Sequence, residues 1–359
     1  MDLKLGEQIR ALPGPILITG HTGFKGTWLT FLLEHLGVST VGYSLAPEKD
    51  CLYHRAQLTG KIPEIYADIR DADTFRKFLG THKPSAIIHM AAQPLVLQSY
   101  KTPRETFDVN IMGTVNVLNE AFATDYVQAV IVVTTDKVYR NDNSGRAFVE
   151  TDPLEGKDPY SASKVGAEAA VSAWQQIQKV SGGPKVVSVR AGNVIGGGDW
   201  AENRLIPDLV RGFISGEPVE IRNPESTRPW QHVLEPLVGY LMTLEYLLEG
   251  GIISSVNFAP DGESLSVREV AKIARECWGT SSRIQFSNDG ICDHLEASSL
   301  ALDASFSRKI LGVCGCWNQN ESIQKTIHWW RSYIENGCSP NENMLFDISD
   351  YLEKWTVEK

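Results

Sequence analysis

The segment Ile16-Leu-Ile-Thr-Gly-His-Thr-Gly-Phe-Lys-Gly26 determines the fold that this chain adopts. An apolar run leads into a glycine-rich turn, and an amphipathic stretch over residues 24–36 follows at once. Glycines at positions 20, 23 and 26 permit a tight turn and let the backbone approach a phosphate group, which then faces the N-terminus of a helix. This spacing between a strand and a helix predicts a dinucleotide-binding turn rather than an ordinary glycine-rich loop.

The rest of the first half continues the alternation of strands and helices that is typical of a parallel sheet. Further strands are predicted at residues 40–43, 86–89, 129–134 and 185–189, and long helices at 106–123 and 160–179. The strands are apolar on both faces, as in a sheet that helices cover on each side. The pattern predicts the α/β class: a Rossmann-type, doubly wound parallel sheet with a smaller C-terminal substrate-binding region.

The sequence divides into two predicted parts. Residues 1–190 are expected to form the dinucleotide-binding domain and to carry the reactive residues. Residues 191–359 are expected to form mainly the substrate-binding region, with some segments that return to the first domain. Loops rich in Gly, Asn and Pro alternate there with helices predicted at 207–215 and 234–248. The stretch 329–355 is predicted to be a helical tail whose tryptophans belong to the core.

Composition excludes several function classes. The chain of 359 residues has 34 Lys and Arg against 44 Asp and Glu, and the net charge of −10 disfavours binding to nucleic acid or to anionic membranes. No apolar stretch approaches the ~20 residues that span a bilayer, so a cytoplasmic protein is expected. The six cysteines lack the spacing of zinc or redox sites, so we expect reduced thiols and no metal.

The segment Tyr160-Ser-Ala-Ser-Lys164 carries a candidate for proton transfer. Residues four apart share a face of a helix, so the phenol and the ammonium group are expected side by side. A nearby cation lowers the pKa of a phenol and makes it usable as a base near neutral pH. The Tyr-x-x-x-Lys pattern alone is common, but its position downstream of the glycine-rich turn indicates dehydrogenase chemistry.

The end of the second predicted strand leaves the choice of dinucleotide open. It reads Val41-Gly-Tyr-Ser44, so the acidic residue that usually holds the adenosine ribose of NAD is absent. No Arg follows immediately to receive the 2′-phosphate of NADP. Asp68 could accept a hydrogen bond from the adenine amino group, and a solvated loop carboxylate is the alternative.

Together these motifs resemble the extended short-chain dehydrogenase/reductases that modify nucleotide sugars. The resemblance covers about residues 15–312 and rests on an ordered set of motifs. They are the glycine-rich turn, Asp68-Ile69, His89-Met-Ala-Ala-Gln93, Asn110 with Gly113-Thr114, Thr134-Thr-Asp-Lys-Val-Tyr139, Tyr160-x-x-x-Lys164 and Arg190-Ala-Gly-Asn193. In this family the nicotinamide cofactor stays bound and is reused, so the resemblance implies NAD as the cofactor.

The resemblance also assigns roles to residues. Tyr160 would take the proton of the sugar C4 hydroxyl, Lys164 would hold the cofactor ribose and the tyrosine, and Thr135 would bond the C4 oxygen. The implied cofactor-binding set is Gly20, Thr22, Gly23, Phe24, Lys25, Gly26, Asp68, Ile69, Ala91, Ala92, Gln93, Tyr160 and Lys164. The implied substrate-binding set is Thr135, Asn193, Arg204 and Arg228, since arginine suits a diphosphate.

Asp136 and Lys137 distinguish the branches of the family. Sugar 4,6-dehydratases usually carry Asp and Glu after the threonine, as an acid for the C6 hydroxyl and a base for the C5 proton. Lysine at position 137 resembles the CDP-glucose 4,6-dehydratases in particular, as does the segment Arg228-Pro-Trp-Gln-His-Val233. A lysine must be neutral to remove a proton, so Lys137 is expected to be either the base or an electrostatic stabiliser of the enolate.

The resemblance implies a lyase that converts CDP-D-glucose in dideoxysugar and lipopolysaccharide O-antigen synthesis. Two long helices, 106–123 and 160–179, are apolar enough to suggest a homodimer or homotetramer. The alternatives are a 4-epimerase or a dehydratase of another nucleotide sugar, and a dinucleotide-binding sensor without turnover. His89, Gln93, His232 and His294 are candidates for pocket lining, although a structural histidine is the commoner outcome.

Overall fold

The computed structural model describes residues 5–279, 283–287 and 300–357. The strands are β1 Ile16–Thr19, β2 Thr40–Ser44, β3 Glu64–Tyr66, β4 Ala86–His89, β5 Ala129–Val133, β6 Lys185–Ala191, β7 Asn193–Ile195, β8 Val219–Arg222, β9 Thr227–Arg228, β10 Trp230–His232, β11 Ser255–Phe258, β12 Leu265–Ser266 and β13 Ile284–Ser287. The helices are α1 Glu7–Arg10, α2 Phe24–His35, α3 Leu52–Arg55, α4 Ala72–His82, α5 Val96–Lys101, α6 Pro103–Phe107, α7 Gly113–Phe122, α8 Pro159–Ser181, α9 Leu205–Ser215, α10 Leu234–Leu248, α11 Val267–Trp278, α12 Ser305–Leu311, α13 Gln319–Glu335 and α14 Pro340–Val357. A π-helical turn, Asp108–Met112, joins α6 to α7, and a 3-10 turn spans Asp136–Val138.

The central sheet of the described residues has seven parallel strands in the order β11-β6-β5-β4-β1-β2-β3. The chain moves outward from β1 to β3 and then returns to place β4 on the other side of β1. Ligands bind at such reversals, outside the carboxyl ends of the strands. The predicted doubly wound Rossmann-type sheet is confirmed, and the glycine-rich turn after β1 lies at the reversal.

Apolar layers cover both faces of the sheet. Along β1, Ile16 and Ile18 belong to one buried cluster and Leu17 to another. The first cluster includes Trp28 of α2 and the tail tryptophans, and the second includes side chains of α4, α7 and α8. This two-sided burial explains why the strands are continuous apolar runs in the sequence.

Two strands of the sheet were missed by the sequence analysis. β3 has three residues, one of them charged, and β11 reads Ser-Val-Asn-Phe, so neither forms an apolar run. β11 pairs with β6 and returns the second half of the chain to the sheet. The division at residue 190 stays a prediction.

The tail is two helices rather than one. Gly337, with φ of 69°, lies in the turn between α13 and α14. Trp329, Trp330 and Trp355 are buried, which confirms that they belong to the core. Among the described helices, none has the length and apolarity needed to cross a membrane.

Close packing at Gly197 yields a stability prediction. A methyl group at Gly197 would overlap the Trp329 ring, whereas one at Gly80, on the exposed side of α4, would have no neighbour within 4 Å. We expect Gly197→Ala to destabilise the fold by about 1–3 kcal/mol, as overpacking does, and Gly80→Ala to stabilise it by about 0.5–1 kcal/mol. Urea unfolding checks both, and equal stability of the two variants would contradict the packing described for Gly197.

Candidate active site

The glycine-rich turn presents bare backbone at the N-terminus of α2. Gly20 has φ of +77°, and a Cβ there would lie 2.8 Å from the Ala91 backbone nitrogen. A Cβ at Gly26 would overlap the Gly20 carbonyl oxygen, so α2 packs directly against the turn. Gly23 is the residue before the first turn of α2. Backbone N–H groups at a helix N-terminus attract a phosphate, and this cradle therefore fits the pyrophosphate of a dinucleotide.

Ser44, in the position where an acidic residue was expected, has a partner within the protein. The hydroxyls of Thr22 and Ser44 are 2.7 Å apart, and Thr22 also donates to the Leu45 carbonyl. These bonds tie the glycine-rich turn to the end of β2. The predicted contact of Thr22 with a cofactor stays a prediction.

The Asp68 carboxylate is already engaged. It forms a salt bridge with Arg70 at 2.6 Å, and hydrogen bonds from Arg70 lower the pKa of Asp68. The Tyr43 hydroxyl donates to the Asp68 carbonyl. The neighbouring Ile69 is buried, and its methyl group lies where a side chain at Gly113 would be. The proposed contact of Asp68 with adenine stays untested.

His21, a buried residue of the glycine-rich turn, pairs with the half-buried Glu64, and the sequence analysis missed this contact. The His21 Nε2 lies 2.8 Å from Glu64 Oε2, and the hydroxyls of Tyr53 and Tyr66 donate to the same carboxylate. Burial lowers the pKa of His21. No sequence signal marked Glu64, because β3 is too short to recognise.

The loop after β4 is held by hydrogen bonds from neighbouring helices. Asn110, in the π-helical turn, accepts from the Gln93 backbone at 2.8 Å and donates to the Ser163 hydroxyl of α8 at 2.8 Å. The Gln93 side chain donates to Thr106 and so is used within the protein. This arrangement places the segment with Ala91 and Ala92 beside the glycine-rich turn, where the Ala91 backbone donates to Thr19.

Two of the candidate pocket histidines are buried against neighbouring side chains. His89 is hydrogen-bonded to Thr19 and Thr114, and burial lowers its pKa to about 3. His232 packs against the rings of Trp28 and Trp317, and burial likewise lowers its pKa to about 3. His294 lies outside the described residues.

Thr135, Asp136 and Lys137 follow the carboxyl end of β5 in one tight turn. The Thr135 hydroxyl donates to Asp136 Oδ1 at 3.0 Å, and the Lys137 ammonium donates to the same atom at 3.2 Å. Asp136 is fully buried, yet its Oδ2 has no hydrogen-bond partner among the described residues. A buried oxygen without a partner is costly, so Oδ2 is a candidate to bond a ligand.

Tyr160 and Lys164 project from the first turns of α8. Asp158 caps the helix through a reciprocal pair of hydrogen bonds with Ser161, and Pro159 occupies the first helical position. The Lys164 ammonium donates to the Val133 carbonyl at 3.0 Å, and burial lowers the pKa of Lys164 to about 8. α8 therefore places both groups at the carboxyl end of β5.

The electrostatics of Tyr160 differ from the sequence expectation. Burial raises the pKa of Tyr160 to about 12, whereas a hydrogen bond with Thr135 and the charge of Arg204 act in the opposite direction. Lys164 was expected to lower this pKa, but its ammonium is directed to the Val133 carbonyl. In this arrangement Arg204 is the cation that favours the phenolate.

Lys25 belongs to the glycine-rich turn, but its side chain extends beyond that turn to α10. Its ammonium donates to the Tyr240 hydroxyl at 3.3 Å. Burial and the charges of Arg204 and Lys164 lower the pKa of Lys25 to about 7. Sequence reasoning missed Tyr240, because a tyrosine in an apolar helix carries no motif.

The predicted substrate-binding residues other than Thr135 lie on the strands and loops that follow β6. Asn193 begins β7, which pairs with β10. Arg204 precedes α9 and forms a salt bridge with Asp199 at 2.8 Å. Arg228 is buried in β9 and donates to the Thr227 carbonyl.

Gly192 allows the segment around Arg228 to pack against the turn formed by Thr135, Asp136 and Lys137, here named the reactive turn. A Cβ at Gly192 would lie 2.6 Å from the Pro229 ring and 3.4 Å from Asp136 Oδ2. The segment of Arg228 therefore passes close to Asp136. The contacts of Asn193, Arg204 and Arg228 with a substrate stay predictions.

Comparisons with known proteins agree with this geometry. Residues 16–256 match the family model described as the NAD dependent epimerase/dehydratase family. A protein of Salmonella typhimurium named CDP-glucose 4,6-dehydratase is 39% identical over 354 residues, which are 95% of this chain and 97% of that protein.

Solved structures of two further enzymes share the fold. dTDP-glucose 4,6-dehydratase of Bacillus anthracis, in complex with NAD, has a TM-score of 0.75 at 19% identity and covers 91% of this chain and 99% of its own. UDP-glucose 4-epimerase of Thermus thermophilus, in complex with NAD, has a TM-score of 0.76 at 24% identity and covers 89% of this chain and 100% of its own. The expected family resemblance is confirmed: the chain belongs to the NAD dependent epimerase/dehydratase family and is an enzyme whose cofactor is NAD.

Proposed function

We propose that the protein is a CDP-D-glucose 4,6-dehydratase, a lyase that forms CDP-4-dehydro-6-deoxy-D-glucose and water. The observation that carries the proposal is the turn Thr135–Asp136–Lys137 beside Tyr160. It combines a buried carboxylate oxygen that has no hydrogen-bond partner in the part of the chain that the structure describes and an adjacent ammonium group. An epimerase that only oxidises and reduces C4 has no need of an acid at C6.

The near full-length similarity to the Salmonella CDP-glucose 4,6-dehydratase supports the choice of nucleotide. Other relatives are named for dTDP-glucose and UDP-glucose, at 26–28% identity. Lysine at position 137 follows the CDP-glucose branch of the resemblance.

The residues of the glycine-rich turn and Lys164 would hold NAD. Bound NAD supplies a hydride acceptor for C4 and, later, a hydride donor for C6. Tyr160 removes the proton of the C4 hydroxyl; burial raises the pKa of this phenol to about 12, and Arg204 and the hydrogen bond with Thr135 act against that rise. Thr135 orients the C4 oxygen toward Tyr160.

Loss of water follows from the acidity of C5 once C4 is a ketone. Hydroxide leaves C6 poorly unless it receives a proton, and Asp136 donates that proton through Oδ2. Lys137 either removes the C5 proton in its neutral form or stabilises the enolate in its charged form. After hydride return to C6, a proton at C5 completes the product, so the overall change is the loss of one water molecule.

We also propose that the enzyme is a homo-oligomer. Tyr100, Phe107 and Met112 are exposed apolar side chains on consecutive helical segments of one edge of the molecule. Ile177 and Val180 of α8 are exposed as well. Sedimentation analysis distinguishes a dimer, a tetramer and a monomer, and a monomer would contradict this part of the proposal.

The direct test incubates the pure protein with NAD and, separately, CDP-, dTDP-, GDP- and UDP-glucose, with mass spectrometry to detect loss of water. Loss from CDP-glucose alone is expected. Loss from another donor would overturn the nucleotide assignment, and no loss from any donor would overturn the dehydratase assignment.

Asp136→Asn should separate oxidation from elimination. The amide cannot donate a proton to a leaving hydroxide, so we expect water loss to fall by about 10²–10⁴-fold. Formation of the 4-keto intermediate in a single turnover, followed by the absorbance of reduced nicotinamide, should persist. Tyr160→Phe serves as the comparison, because it should abolish both steps, and equal losses in the two variants would contradict the role of Asp136.

The pKa of Lys164 predicts a loss of activity at alkaline pH. This pKa is lowered to about 8, so the ammonium is protonated below that pH and neutral above it. We expect kcat/KM of the NAD-loaded enzyme to fall as pH rises through about 8. The fall should be absent from the residual activity of Lys164→Arg, whose guanidinium stays charged. If kcat/KM of Lys164→Arg falls at the same pH, the group that titrates is not Lys164.

A further inference from the structure

A buried carboxylate lies one helical turn beyond Lys164 and has no part in the proton transfers described above. Glu168 accepts hydrogen bonds from Thr134 Oγ1 at 2.6 Å and Ser188 Oγ at 2.7 Å, and from Arg190 Nε and Nη2 at 2.8 Å each. Both carboxylate oxygens are therefore fully engaged. Removal of one partner from such a pair leaves an uncompensated buried charge, which is costly.

Arg190 of β6 extends this hydrogen-bond network to Tyr139, on the C-terminal side of the turn 135–137. Its Nη1 donates to the Tyr139 hydroxyl at 2.7 Å, and the guanidinium lies over the Tyr139 ring at 5.0 Å. The Tyr139 hydroxyl in turn donates to Asn257 Oδ1 of β11 at 2.7 Å. All of these groups are buried.

The network contacts the chain on both sides of the proposed reactive residues Thr135, Asp136 and Lys137. Thr134 immediately precedes Thr135, and Tyr139 follows Lys137 by two residues. Both are bound to the Glu168–Arg190 ion pair, and Glu168 belongs to the same helix as Tyr160 and Lys164. Glu168 of α8 therefore holds one end of the turn 135–137 directly and the other end through Arg190 of β6.

We propose that Glu168, Arg190 and Tyr139 are positioning residues that fix the turn carrying Asp136 and Lys137 relative to the helix carrying Tyr160 and Lys164. The expected effect on the reaction rates rests on the proposed function. The hydrogen-bonded link itself does not depend on the identity of the substrate. C4 oxidation uses Tyr160 and Lys164 on α8 together with Thr135, which follows Thr134 at the end of the turn that Glu168 holds directly. Water loss also uses Asp136 and Lys137, which lie nearer to Tyr139. Loosening the Tyr139 end of the turn should therefore impair elimination more than oxidation.

The main test is Tyr139→Phe, which removes one hydroxyl and keeps the Glu168–Arg190 ion pair and the ring. We expect single-turnover reduction of NAD to change by less than about twofold and water loss to slow about 10- to 100-fold, because small displacements of catalytic groups have effects of that size. KM should stay within about twofold.

Tyr351→Phe is the matched control. Tyr351 is also buried, and its hydroxyl donates to Glu235 at 2.9 Å in the contact between α10 and α14. Both steps should keep their rates in this variant. If Tyr139→Phe slows oxidation and elimination equally, or slows neither, the positioning proposal is wrong.

Glu168→Gln tests the other end through a pH profile. The negative charge of Glu168 raises the pKa of Lys164, against the effect of burial. Its removal should move the alkaline limb of kcat/KM to lower pH, which a loss of fold stability alone does not do. An unchanged limb would contradict the electrostatic part of the link. If Glu168→Gln does not fold, Thr134→Val, which keeps the charge of Glu168, tests the mechanical link at this end by hydrogen exchange.

Hydrogen exchange keeps the inference separate from the proposed function. With NAD alone and no sugar nucleotide, Tyr139→Phe and Thr134→Val should increase exchange of the backbone amides at 135–138, and Tyr351→Phe should not. If the wild-type protein dehydrates no nucleotide sugar, the proposed function fails and this exchange still tests the link. Unchanged exchange in both variants would overturn it.

Discussion

The contact of α2 with the turn before it is the constraint on which the rest of the site depends. Because only hydrogen at Gly26 leaves room for the Gly20 carbonyl, α2 starts close to the end of β1. The position of the helix then decides where its side chains lie. Lys25 reaches Tyr240, and the Trp28 indole donates to the Gly197 carbonyl at 3.0 Å. One close backbone approach thus joins the dinucleotide cradle to the second half of the chain.

Positive charge dominates the reactive centre. Lys25, Lys137, Lys164 and Arg204 are gathered near the buried carboxylate of Asp136. Burial together with the charges of Arg204 and Lys164 lowers the pKa of Lys25 to about 7, and burial lowers the pKa of Lys164 to about 8. Such a centre suits a reaction in which phenolate, enolate and diphosphate groups all carry negative charge.

The sequence predicts the parts of the fold and site that are contiguous in the chain. Buried parallel strands such as β5 are unbroken apolar runs, and Tyr160 with Lys164 share a helix face through spacing alone. Partnerships across the chain could not be predicted, since nothing local relates Glu64 to His21 or Glu168 to Arg190. The raised pKa of Tyr160 was missed for the same reason, because the burial that raises it is a property of the folded molecule.

The return of β11 to the sheet has a consequence for folding during synthesis. Until residue 258 has left the ribosome, β6 has no partner on its outer side, and an unpaired strand edge is a template for pairing with another chain. Asn257 of the same strand accepts the hydrogen bond from the Tyr139 hydroxyl, so the hydrogen bonds around the reactive turn are also incomplete until β11 has been made. β11 therefore completes both the sheet and the hydrogen bonds of the turn. A nascent chain that stalls before β11 would expose the unpaired edge of β6 and be prone to aggregate.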